Sequence, residues 1–171
     1  EQIVSLGVTL TTRGRAFEQA EGERDQGQHD GMSDVLGVDV RGVLVRAEAW
    51  SALAGPDPAL AGADEGLDLG IRSRLAGGRV SVQPLARVAV AGDGVAGLPD
   101  PTHPGGRARR AYAERTALLH RRLTFARIVP LVLWWLAILP VALLRTVSLT
   151  VRKTPGKILP EWGAALTVLV R

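Results

Sequence analysis

Apolar and polar positions are spread unevenly along the chain. Polar, glycine-rich sequence fills the first two thirds, and apolar residues concentrate after Phe125. Ile3 to Thr11 alternates loosely and predicts a strand or extended edge. Phe17 to Ser33 is acidic, glycine-broken and without an apolar period, which predicts a loop. Val35 to Arg46 is β-branched and apolar, the pattern of buried extended chain interrupted at Gly42. Ala47 to Leu53 predicts a short helix stopped by Ala54-Gly55-Pro56. Leu67, Ile71 and Leu75 recur at helical spacing, so Gly66 to Ala76 predicts a helix that Gly77-Gly78 ends. Asp64 and Glu65 stand at its start, where negative charge suits the helix dipole. Arg79 to Val90 predicts a strand pair, or one strand broken at Pro84.

From residue 92 to residue 106 the density of Gly and Pro predicts a linker. Residues 107–127 set Ala108, Ala111, Tyr112, Leu118, Leu119 and Leu123 among many arginines, the composition of a basic amphipathic helix on a membrane surface. Ile128 to Leu144 carries no charge and as a helix spans about 25 Å. Thr146 to Val151 extends it if Arg145 snorkels to the interface. Three readings stay open for residues 128–151: a transmembrane helix kinked by proline, a re-entrant or interfacial hairpin, and a buried soluble helix. Arginines and lysines on both sides disfavour the soluble case. Their greater density upstream places the preceding domain in the cytoplasm. Residues 152–171 read as an interfacial or incomplete second segment, with Trp162 as a candidate interface anchor.

Composition narrows the function classes. The 171 residues hold 21 Lys+Arg against 17 Asp+Glu, a formal charge of +4. The bases dominate from Arg107 onward, beside the apolar segment, where anionic lipid headgroups are the natural counterpart. No aromatic-interleaved basic face of the kind that binds single strands is present, which argues against nucleic acid. Cysteine is absent, excluding disulfides, thiolate metal sites and cysteine nucleophiles. The chain starts at Glu1 rather than Met, and this first residue is expected not to be a natural start.

Two motifs invite a chemical reading. Gly92-Asp93-Gly94-Val95-Ala96-Gly97 matches the dinucleotide fingerprint, but Pro99, Pro101 and Pro104 forbid the helix whose N-terminus would hold a pyrophosphate. Asp64, Glu65 and Asp68 form an acidic cluster that can cap a helix, bind metal or act as a general base. His29 and His120 read as solvated side chains rather than ligands.

The cluster belongs to an ordered series. Gly42-Val43-Leu44-Val45-Arg46 is followed by Trp50, Leu53-Ala54-Gly55-Pro56-Asp57-Pro58, Asp64-Glu65, Asp68-Leu69, Arg72, Leu75-Ala76-Gly77 and Val80 to Pro84. This order, from Val35 to Val90, resembles the acceptor-side half of family 2 glycosyltransferases. The resemblance implies an α/β fold: residues 1–91 as the C-terminal part of a GT-A (Rossmann-like) domain, followed by the basic helix and a membrane helix or helical hairpin. It implies an inverting transfer of sugar from a nucleotide-sugar donor to a cell-envelope glycan or lipid acceptor, at a membrane whose lipids are further partners.

In that family two adjacent acids precede a third by one residue. Setting Asp68 on the third acid puts Glu65 on the first and Gly66 on the second, the base position; a slip of one residue lets Asp64-Glu65 serve. Glu65, with Asp64 as stand-in, is thus the implied catalytic base. Asp68, Arg72, Trp50 and Arg46 are implied at the acceptor side. A divalent metal, Mg or Mn, is expected for the intact enzyme. Its Asp-x-Asp motif and the nucleotide-binding strands would precede Glu1, so this chain alone is expected to be inactive. The family's metal-binding His after the last strand has no counterpart in Val88 to Gly92, and His103 lies too far along. The rival expectation is a non-catalytic glycosyltransferase-like membrane scaffold or anchor.

Overall fold

The computed structural model describes residues 2–12, 14–60, 62–89, 105–126 and 128–170, the side chains of 128–130 excepted. The Gly92–Gly97 motif, His103 and most of the expected linker lie outside the described residues. The chain divides into two compact units. Glu1–Pro58 with Asp64–Gly97 form the first, and Ala59–Ala63 with Leu98–Arg171 form the second.

In the first unit β1 (Val8–Leu10) pairs antiparallel with β2 (Ala16–Glu18), Thr9 facing Phe17. The strand expected over Ile3 to Thr11 is therefore shorter in its ladder, and the expected loop gives up Phe17 and Glu18 to β2. On its other side β1 meets extended chain: Val8 N donates to Gly37 O at 2.9 Å and Gly37 N to Val8 O at 3.1 Å. Val82 N in turn donates to Ser33 O, and Val35 N to Val80 O. Val8, Val35 and Val82 are buried along this layer.

Beyond Asp39 the expected buried extended run stops. Val40–Gly42 forms a 3₁₀ turn whose N-cap, Asp39, accepts from Arg41 N, and Leu44 is 99% exposed. The segment after Arg79 makes one bridge, at Ser81, and Leu85 and Val88 are exposed. The expected strand pair is thus reduced to the part that can pair with Ser33–Val35. The Rossmann-like layering implied by the motif order is not displayed by the described residues, whose regular sheet is the β1–β2 hairpin.

Helices α1 (Ala47–Leu53) and α2 (Glu65–Leu75) fall where the sequence sets them. The buried face of α2 differs from the expected one, however. Residues Gly66 to Gly70 are all buried, whereas Leu75 is 73% exposed. Glycine decides this. A Cβ on Gly66 would stand 1.7 Å from Val38 O, and one on Gly70 2.2 Å from Leu36 O. Two glycines one turn apart let the helix backbone lie directly on the 36–38 segment. The contact is therefore made at the start of α2, and its last turn projects past the core.

The second unit contains α3 (Gly106–Thr124), α4 (Ile128–Val151) and α5 (Ile158–Val170), with a 3₁₀ turn at Pro155–Lys157. Leu119, Ile138, Ala142, Ala165 and Val168 form their shared core. A smaller cluster joins Leu60 and Ala63 to Ala113 and Ala117 of α3. Of the α3 residues expected on a membrane surface, Leu119 is buried in this core and Leu123 packs against it, while Ala108 is exposed; the buried face also takes in Ala113, Thr116 and Ala117.

Candidate functional site

The implied acceptor-side residues gather around α1 and the first turns of α2, all within the first unit. Asp68 lies one turn into α2 and is only 2% exposed. A carboxylate buried this deeply needs a partner, and Arg72, one turn on, supplies it with Nε 2.7 Å from Asp68 Oδ2. The same guanidinium donates from Nη1 to Leu53 O at 2.5 Å and from Nη2 to Gly55 O at 2.8 Å. Those carbonyls sit at the C-terminus of α1, which ends in left-handed Ala54 (φ 56°) and Gly55 (φ 67°). Helix-terminal carbonyls lack intrahelical donors. Arg72 provides them and couples the end of α1 to the start of α2. The planar fork of arginine suits this three-way contact; a lysine could not reproduce it.

Asp64 caps α2 through its backbone position rather than through a side-chain bond, with left-handed φ 56° and ψ 20°. Glu65 opens the helix in its first turn and is half-buried. Its carboxylate makes no hydrogen bond or ion pair among the described residues. Gly66, the alternative base position in the family's register, has no room for any side chain. The carboxylates at the start of α2 are therefore those of Asp64, Glu65 and Asp68, and position 66 cannot carry one.

Trp50 stands on α1, 44% exposed, with Gly55 against its indole edge. It lines an open cavity of about 460 Å³ together with Val40, Val43, Leu44, Val45, Ala47 and Ser51. Arg46 is the exposed N-cap residue of α1, next to this cavity's wall in sequence, and makes no side-chain capping bond. Among the described residues no three His, Asp or Glu side chains converge on a possible metal position.

Sequence reasoning missed a second polar cluster, in the α3–α5 unit. Glu161 of α5 is 3% exposed and holds two arginines. Arg115 Nε of α3 is 2.7 Å from Oε1, and Arg145 Nε of α4 is 3.0 Å from Oε2. The first contact is ionic, without hydrogen-bond alignment. Burial holds the Arg115 guanidinium below its ordinary pKa, partly offset by Glu161 and deepened by Arg145 and Arg122. Arg145, expected to snorkel to an interface, pairs with Glu161 while its side chain stays 48% exposed. Trp162, read as a candidate interface anchor, donates from Nε1 to Thr146 Oγ1 at 2.9 Å. His29 is not simply solvated either, since its Nε2 lies 3.1 Å from Glu23 Oε2. A lone glutamate in an apolar run, Ile158-Leu159-Pro160-Glu161-Trp162, was the available signal for the buried cluster.

Leu131–Val151 of α4 is long and apolar enough to cross a membrane, and little of it is buried within the protein. No protein-family model, curated protein or solved structure matches the chain.

Proposed function

We propose that this chain is the acceptor-side part of a membrane-attached, inverting family 2-type glycosyltransferase whose catalytic domain lies on the cytoplasmic side. One observation carries the reading. Arg72 ties buried Asp68 to the end of Trp50-bearing α1, and the carboxylate of Glu65, one turn earlier, engages none of the described residues. The motif order that resembles the family thus coincides with a physical linkage between the two helices that would border an acceptor. Glu65 acts as general base. Its carboxylate takes the proton of an acceptor hydroxyl while that oxygen attacks the anomeric carbon of a nucleotide-sugar, and the nucleoside diphosphate leaves with the bonding electron pair. Base help of this kind contributes roughly 100- to 10,000-fold. Trp50 offers an exposed indole face beside an apolar cavity, suited to a sugar ring or the apolar part of a lipid acceptor.

The test is sugar transfer from a labelled nucleotide-sugar by the intact protein carrying Glu65→Gln. Loss of turnover with retained donor binding is the expected result. Unchanged turnover removes Glu65 from the mechanism. A second reading, a non-catalytic scaffold, is favoured by Gly66, because the family's base position holds no side chain here, and by the sequence from Val88 to Gly92, which lacks the family's metal-binding His. It predicts that neither Glu65→Gln nor Asp64→Asn changes any activity of the intact protein.

A further inference from the structure

The turn that joins α4 to α5 closes at a cost that its sequence could have avoided. Thr154 N donates to Leu149 O and Lys153 N to Thr150 O, both at 3.0 Å, the pair of bonds that ends a helix through a left-handed residue. Lys153 is that residue, with φ 54°. Glycine adopts this conformation freely, whereas a Cβ is strained there. Gly156, close by in the same turn, is not left-handed, so the glycine stands where the backbone does not need it. Strain of this kind persists where the group it retains has a use, and what it retains here is an ammonium.

The ammonium has company. Arg152, Lys153 and Lys157 are all exposed, and none makes an ion pair or side-chain hydrogen bond among the described residues. Residues 152–157 include no acid. Apolar side chains flank these cations: Val147 and Val151 at the end of α4 are 60% and 76% exposed, and Leu159 at the start of α5 is 83% exposed. The two features together select a ligand. Free phosphate would answer the cations and leave Val151 and Leu159 in water. Hydrocarbon alone would cover Val151 and Leu159 and bring the cations no counter-charge. A lipid with an anionic headgroup supplies both, since basic residues beside apolar helix ends attract such headgroups while acyl chains take the apolar surface.

We propose that the α4–α5 turn binds the phosphate of an anionic membrane lipid through Arg152, Lys153 and Lys157, with Val151 and Leu159 against its acyl chains. The site works in the same way whether α4 crosses the bilayer or lies along it. It does not rest on the proposed transfer reaction.

The chain contains no cysteine, and a side chain added at Gly156 meets nothing within 4 Å, so Gly156→Cys takes a fluorescent label beside the three cations. The full labelled chain, in a neutral detergent, is titrated with short-chain phosphatidylglycerol, short-chain phosphatidylcholine and inorganic phosphate. Saturable binding of phosphatidylglycerol, about 10-fold or more tighter than either of the others, is the expected result. Equal binding of phosphatidylcholine removes the charge from recognition, and equal binding of inorganic phosphate removes the lipid; either overturns the proposal. Replacing Arg152, Lys153 and Lys157 together by Gln should weaken phosphatidylglycerol binding by about 100-fold, each cation contributing a factor of roughly five, and unchanged binding overturns the site. Lys153→Gly relieves the backbone strain as it removes the ammonium, so weaker binding by this variant is not a loss of fold. A loss of about 5-fold is expected of it, and no loss overturns the role of Lys153. A label signal that changes with protein concentration in lipid-free detergent puts a second copy on the turn and also overturns the proposal.

Discussion

At the scale of single residues, glycine and arginine decide more here than the large apolar side chains do. Gly66 and Gly70 permit the closest backbone contact in the first unit, and added atoms there must displace backbone rather than a flexible side chain. Gly66→Ala is therefore expected to destabilise by about 3 kcal/mol or more, at the upper end of overpacking costs. Gly31→Ala meets nothing within 4 Å and should change stability by less than about 0.5 kcal/mol. Urea midpoints of the two variants check this, and equal midpoints would refute the close contact of α2 with Leu36–Val38. The glycines stood in the sequence, but their meaning did not. Gly-x-x-x-Gly inside a short helix reads as weak propensity until the opposing backbone is known. Periodicity picked out Leu67, Ile71 and Leu75 for the inner face, and only Leu67 of these is fully buried.

At the scale of elements, the legible parts were those governed by local chemistry. α1 and α2 end where Gly, Pro and left-handed residues must end them. The extended segments were read less well, because a strand exists only where a neighbour accepts its hydrogen bonds. Val43-Leu44-Val45 has β-branched composition yet finds no ladder, so it remains exposed or half-exposed chain beside Trp50. The turn before it carries a pH response. Burial pushes the Asp39 carboxyl up, but hydrogen bonds from the Arg41 side chain and backbone outweigh this and hold it below the ordinary range. A depressed folded pKa gives stability that is complete above the unfolded value of about 3.9 and is lost as pH falls through the folded value. Glu18 runs the other way. Burial raises its pKa despite the hydrogen bond from Ser5, so its contribution is present below the unfolded value and is lost as pH rises through the folded one. Asp39→Asn should flatten the loss of stability below about pH 4 and weaken, without abolishing, the Glu18 response at higher pH, since burial is the larger cause of that shift and the Asp39 charge a smaller one. Urea melts at pH 6 and pH 3 distinguish the two, and an unchanged acid limb would contradict the Asp39 assignment.

At the scale of the whole molecule, each unit is joined internally by a buried ion pair that links separate helices. In the first, Asp68–Arg72 reaches the end of α1. In the second, Glu161 joins α3, α4 and α5 through Arg115 and Arg145. Removing one partner of a buried pair strands the other charge, whereas replacing the pair with apolar groups need not be costly. Glu161→Gln is expected to destabilise the three-helix unit by about 3 kcal/mol, the lower end of the range for broken buried pairs. Arg115→Met with Glu161→Met should recover most of that loss. Limited proteolysis or a thermal melt in lipid or detergent checks the pair. A double variant as unstable as Glu161→Gln would show that Glu161 acts mainly on Arg145.

The amino-acid sequence alone determined the places of α1 and α2, the helix after Gly105, and the polarity gradient that divides the chain. It also determined the apolar length of α4 and the motif order behind the proposed glycosyltransferase reading. Each of these depends on neighbours along the chain: caps, breakers, periodicity and residue type. Tertiary structure decided that Arg72 serves α1, that Gly66 excludes a carboxylate, that Arg145 pairs with Glu161, and that α3 lies along α4. These depend on which distant backbone or charge comes to stand opposite a residue, and desolvation and close packing fix that only once the chain has folded.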